Sequence, residues 1–121
     1  MFIKISHQNF PVYISSKNLA TECYKITENF PGTEKFALVQ QIRRAAVSVV
    51  LNIVEGLSRR SNQERKRYFE ISRGSIIEID AAFEISQTMG YLKSMNSNTK
   101  IESSMNETFA QLSGLIKALE N

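Results

Sequence analysis

The chain has 121 residues, the size of one ordinary domain, and its 42% hydrophobic and 22% charged content matches a globular protein rather than a disordered or fibrous one. A single cysteine, Cys23, and a single histidine, His7, exclude an intrachain disulfide framework and a Cys/His zinc site. The formal charge of +3 is mild, but it is unevenly distributed.

Only Pro11, Pro31 and five glycines punctuate the chain, which leaves room for long helices. Residues 1–10 form an N-terminal extension whose apolar Phe2, Ile3 and Ile5 read either as a tail or as an arm that docks on a neighbour. It lacks the regions of a signal peptide, and no apolar run in the chain approaches the roughly 20 residues of a membrane span, so a cytoplasmic protein with no membrane partner is expected. Pro11 suits a first helical turn, and Val12, Leu19, Cys23, Ile26 and Phe30 follow at near-helical spacing, predicting a first helix over 11–29. Cys23 falls on its inner stripe and is expected to be an inert core thiol.

Thr33 is the expected cap of a second helix, in which Phe36, Val39, Ile42, Ala46, Val49 or Val50, and Ile53 recur until Gly56 closes it. Between Ala45 and Val54 only Ser48 and Asn52 are polar, so this helix is expected to be buried on more than one side or to face a subunit partner. Ser61 and Glu64 have capping-box spacing and open a third helix with Phe69, Ser72, Ile76, Ile79, Phe83 and Ser86 inside and Gly90 as its left-handed cap. Gly74 beside Ser75 in its interior costs about 1 kcal/mol relative to alanine and predicts close approach of the second helix. Thr99 and Glu102 repeat the capping pattern before a stripe of Ile101, Met105, Phe109, Leu112, Leu115 or Ile116, and Leu119. The sum is all-α: an up-and-down antiparallel four-helix bundle over residues 11–121.

Charge now separates along the chain. Residues 43–73 hold eight basic and three acidic side chains, and residues 74–90 hold three acids and no base. The basic set contains Arg43, Arg59, Arg60, Arg65, Lys66, Arg67 and Arg73, a candidate phosphate-contacting patch, because guanidinium forks match phosphate oxygens and basic surfaces release counterions from nucleic acid. Tyr68 is placed to stack on a base or to enter the core. The competing reading is a solvated face neutralised by Glu64 and Glu70.

A second constellation, Arg44, Ser48, Asn52 and Glu55, makes a polar stripe on the second helix, with Glu78 or Arg73 on the third helix as expected partners. Glu55 with Glu78 could form an acid/base pair, but the Glu-x-x-His motif of bundle di-iron sites is absent. The expectation is a non-enzyme without cofactor or metal.

From residue 12 onward the chain resembles the small bacterial four-helix-bundle proteins of 23S rRNA intervening sequences. The resemblance rests on Gln41-Ile-Arg-Arg-Ala-Ala-Val-Ser48, Asn52-Ile-Val-Glu-Gly56, Arg59-Arg60-Ser61, Glu64, Tyr68-Phe69, Gly74-Ser75, Glu78 and Gly90-Tyr-Leu92. It is similar also to the accessory variability determinant of diversity-generating retroelements. What this implies is a homopentamer with a basic surface and RNA, DNA or a nucleic-acid enzyme such as a reverse transcriptase as partner; the alternative is a scaffold that does not touch nucleic acid. Two departures stand out: Val50 replaces the usual proline, which implies a straighter second helix, and Tyr13 replaces a common tryptophan.

Overall fold

A computed structural model describes residues 2–3, 5–92 and 99–120. Four helices carry the fold: α1 (Pro11–Thr27), α2 (Leu38–Ser58), α3 (Asn62–Thr88) and α4 (Thr99–Leu119). Pro11 occupies the first turn of α1, where its missing N–H costs nothing. A 3-10 turn, Ser6–Asn9, precedes α1 and buries His7 edge-on against Tyr13, so part of the extension, and His7 with it, belongs to the packed structure. The side chain of Thr99, the expected cap of α4, lies outside the described residues.

Side-chain bonds between helices fix their antiparallel register. Arg43, early in α2, reaches Thr27 at the end of α1 (Nε to Oγ1, 2.9 Å). Lys66, early in α3, meets Glu120 just beyond α4 at 3.2 Å. Ser15 of α1 donates to Gln111 of α4 at 2.5 Å and accepts from Thr108 at 3.0 Å. Each helix therefore packs on its chain neighbours, α4 closes back onto α1, and α2 with α3 forms the tightest pair. The result is the all-α four-helix bundle. Leu19, Ile42, Val49, Ile53, Ile79 and Leu112 are fully buried at its centre. Among the described residues no helix is long and apolar enough to cross a membrane.

Three sequence expectations are corrected at the element ends. Thr33 does not cap α2: it lies in a short 3-10 turn, Gly32–Glu34, and the carboxylate of Glu34 accepts from the Leu38 N–H at 3.4 Å instead. Phe36 is consequently outside the helix and 82% exposed. Gly56 lies within α2, where a Cβ would stand 2.5 Å from the Phe69 ring, whereas a Cβ on Gly74 would meet nothing within 4 Å. The close approach of α2 and α3 is thus at Gly56, not at Gly74. Gly90 does cap α3, with φ +82° and the amides of Gly90 and Tyr91 bonded to the carbonyls of Gln87 and Ser86. The apolar circumference of α2 is only partly covered, since Val47 and Leu51 face outward. Phe109 of α4 is also exposed, its inward place taken by the buried Thr108.

Candidate nucleic-acid interface

The junction between α2 and α3 is built by its own arginines. Ser58 donates to the Glu55 carbonyl as α2 ends, and Arg59 turns the chain in an extended conformation. Ser61 then caps α3 by accepting from the Glu64 N–H at 3.1 Å, with the Glu64 carboxylate 3.2 Å from the Ser61 hydroxyl. Arg65 donates Nε to the Arg59 carbonyl at 2.6 Å, which closes the turn.

Arg59 pairs with Glu55 one turn back, and its guanidinium lies 5.0 Å over the Tyr68 ring. The bond to Glu55, with Tyr68 beside it, raises the Arg59 pKa above its ordinary value, so this cation stays charged at any physiological pH. Its buried Nε has no hydrogen-bond partner among the described residues, a cost that the ion pair and ring contact offset. Arg67 approaches the same ring at 5.5 Å. Lys66 is engaged with Glu120. Arg60 and Arg67 are exposed and have no hydrogen bond or ion pair among the described residues.

Five cations therefore share one end of the bundle with the carboxylates of Glu55, Glu64 and Glu120. The N-terminus of α3 adds partial positive charge there, and the C-terminus of α2 subtracts a similar amount. The remaining excess is concentrated on Arg60 and Arg67.

Two of the expected contacts do not join this cluster. Arg43 stands sixteen residues before Arg59 on α2, roughly 24 Å away along the axis. There it stacks 4.6 Å over Tyr24 and bonds Thr27, the Tyr24 carbonyl and Glu28. Arg73 turns toward α4, donating to Ser113 at 3.2 Å and lying 5.8 Å over Phe109. The seven-residue patch thus resolves into a five-residue cluster and two separate arginines.

The polar stripe is also divided. Asn52 donates to the Ser48 carbonyl at 2.8 Å and to its hydroxyl at 3.0 Å, and Ser48 lies 2.9 Å from Ser75, which donates to the Ile71 carbonyl. With Asn52 and Ser75 directed this way, Ser48 is the donor to Ser75, and the chain of bonds crosses from α2 to α3. Ser72, already expected inside, completes the seam by donating to the Val49 carbonyl at 2.8 Å. Glu55 is committed to Arg59 just past the end of its own helix, while Arg44 and Glu78 are exposed, so the expected bonds from these three to the neighbouring helix are not made among the described residues. The stripe is a hydroxyl seam flanked by unused charges.

One surface was not legible from spacing alone. Tyr24, Lys35, Phe36 and Arg43 line one end of an open depression of about 680 Å³ on the outer side of α2, which continues along the helix past Arg44, Val47 and Leu51. Lys35 lies 5.5 Å over the Phe36 ring. Assigning Phe36 to the inner stripe of α2 concealed this site, since the 3-10 turn that expels it has no hydrophobic period.

Compared with known proteins, the chain matches the family described as 23S rRNA-intervening sequence protein over residues 8–114. No curated protein matches it. Among solved structures it is similar to a protein of unknown function from the S23 ribosomal protein family of Bacteroides thetaiotaomicron VPI-5482, with a TM-score of 0.76. The two are 22% identical, over 88% of this chain and 98% of that one, a likeness that concerns the fold.

Proposed function

The chain belongs to the 23S rRNA-intervening sequence protein family, and we propose that it acts by binding rather than catalysis, as a homo-oligomer that holds structured RNA or DNA against the basic end of its bundle. The observation that carries this reading is the pair Arg60 and Arg67, exposed and without ion-pair partners among the described residues, beside the Arg59–Tyr68 stack. Arginines bound into the fold, such as Arg59 and Arg65, have hydrogen-bond partners, whereas Arg60 and Arg67 have none among the described residues. These two are free to meet phosphate, while Arg59 and Arg65 hold the turn that presents them.

Self-association is supported by the outer side of α2 and α3, where Val47, Leu51, Ile71 and Ile85 are exposed together with Arg44 and Glu78, which have no ion pair among the described residues. A ring would repeat the basic end several times and turn a weak contact into a multivalent one. A pentamer is the form we propose, on the resemblance drawn from the sequence.

Titrating a labelled RNA hairpin with the protein at several salt concentrations tests the reading. The expected result is saturable binding whose logarithm falls linearly with the logarithm of salt. Changing Arg60 and Arg67 together to glutamate should lower the slope by roughly 2 per subunit engaged and leave the helical signal intact. No binding at low salt, with capture of an acidic protein partner instead, would replace this function with the scaffold alternative.

A further inference from the structure

The basic end accounts for the backbone of a nucleic acid but not for the aromatic end of the depression, where Tyr24, Phe36 and Arg43 stand roughly 24 Å away along α2. Phe36 is 82% exposed and outside any helix, so it contributes little to the core while presenting an apolar ring to water. Tyr24, also exposed, lies under the Arg43 guanidinium, which Thr27, Glu28 and the Tyr24 carbonyl hold in a fixed plane. Lys35 sits above Phe36 and has no ion-pair partner among the described residues. Val39 provides an apolar floor, and the amide of Gln40 stands at the rim.

This combination is specific in its chemistry. An apolar ring, a prefixed guanidinium plane and a free ammonium suit a planar heterocycle that carries negative charge nearby. A fatty chain would gain nothing from the cations, and an inorganic anion would gain nothing from the rings. Glu28, held by Arg43 at 3.1 Å, cancels one positive charge, so the surface would select a stacked base with its phosphate rather than an anion alone. Duplex bases present no free faces and cannot enter.

We propose that the Tyr24–Phe36–Arg43 surface is a binding site for an unpaired nucleotide of a single-stranded stretch, stacked on Phe36 or the Arg43 plane with its phosphate on Lys35. This deepens the function proposed above and rests on it for the source of the strand: a structured nucleic acid seated on the basic end would send a single-stranded extension along α2. Phe36 is the stacking residue that tests the site, because it adds a stacking face while contributing little to the core.

The experiment compares a blunt RNA hairpin, the same hairpin with a ten-nucleotide single-stranded tail, and the tail alone. Binding to the full chain and to its Phe36→Ala and Lys35→Glu variants is followed by fluorescence anisotropy, with light scattering of each variant in parallel. The expected result is roughly tenfold tighter binding of the tailed hairpin by the unmodified protein, with that advantage lost in both variants and blunt-hairpin binding unchanged. A tail that confers no advantage overturns the proposal. So does a Phe36→Ala variant whose only change is a lower oligomeric mass, which would make the surface a contact between copies. If the tail alone binds and Phe36→Ala abolishes this while the blunt hairpin never binds, the nucleotide site stands and the reading of the basic end fails.

Discussion

Gly56 and Phe69 set a close approach of α2 and α3. A Cβ on Gly56 would enter the Phe69 ring at 2.5 Å, and Phe69 is 2% exposed, so the ring has no room to withdraw. Gly56→Ala should therefore destabilise the protein by about 1–3 kcal/mol, read as a lower midpoint in urea. Gly74→Ala should act in the opposite direction, because nothing lies within 4 Å of the added methyl and a helix-interior glycine costs roughly 0.5–1 kcal/mol. A fall in the midpoint instead would indicate that another surface covers that position. Cys23 carries a third prediction. Burial, reinforced by the neighbouring Glu22, pushes its pKa up to about 12, so the thiolate is scarce at any pH where the protein is folded. Labelling by a thiol reagent at pH 8.5 should proceed only as fast as the protein opens and should accelerate with denaturant. The inert thiol was legible from its place on the stripe of α1. The close approach expected at Gly74 lies instead at Gly56, inside the helix it was expected to close, because spacing reveals where a helix lacks a Cβ but not which neighbour occupies the space.

At the scale of elements, the connections are tied by side chains that periodicity does not show. The Tyr91 hydroxyl donates to the Glu34 carboxylate at 2.9 Å, linking the α1–α2 connection to the end of α3, while Glu34 also receives the first amide of α2. The bond to Glu34, with some burial, raises the Tyr91 pKa above its ordinary value of 10. The neutral phenol is the form that the fold favours, so the contribution is complete below the unfolded pKa and is lost as pH rises through the higher folded one. Stability measured above pH 10 should therefore fall more steeply in the unmodified protein than in Tyr91→Phe, and the two slopes should agree near neutrality. Equal slopes above pH 10 would remove Tyr91 from this role. The capping box of α3 was legible because Ser61 and Glu64 are local in sequence. The cap of α2 was not, because Glu34 acts across an irregular turn and the more conventional Thr33 stands beside it.

For the whole molecule, the opposed charges of the sequence become a geometry. The basic cluster occupies one end of α3, the acids Glu78, Asp80 and Glu84 lie exposed farther along it, and an apolar strip on α2 and α3 remains uncovered. The bundle itself was legible from four hydrophobic stripes. The outward face was not, since an apolar helix surface reads the same whether it meets its own core or another copy. If copies pair through this face, Leu51→Glu and Ile71→Glu place a carboxylate where apolar surface is buried in the assembly but lies in water in a separated subunit. The expected outcome is a particle mass falling toward that of one chain by light scattering, with monomer stability within about 0.5 kcal/mol of the unmodified chain because both positions are solvent-facing there. Arg44 and Glu78, exposed and without an ion pair among the described residues, give an electrostatic counterpart. Arg44→Glu and Glu78→Arg should each weaken assembly about tenfold, and mixing the two variants should restore it in part, because alternating copies re-pair at every contact but one of a five-membered ring, whereas pairing within one chain would give no rescue. Unchanged mass in all four variants would leave the apolar strip for a different partner and would remove the multiplication of charge from the nucleic-acid reading.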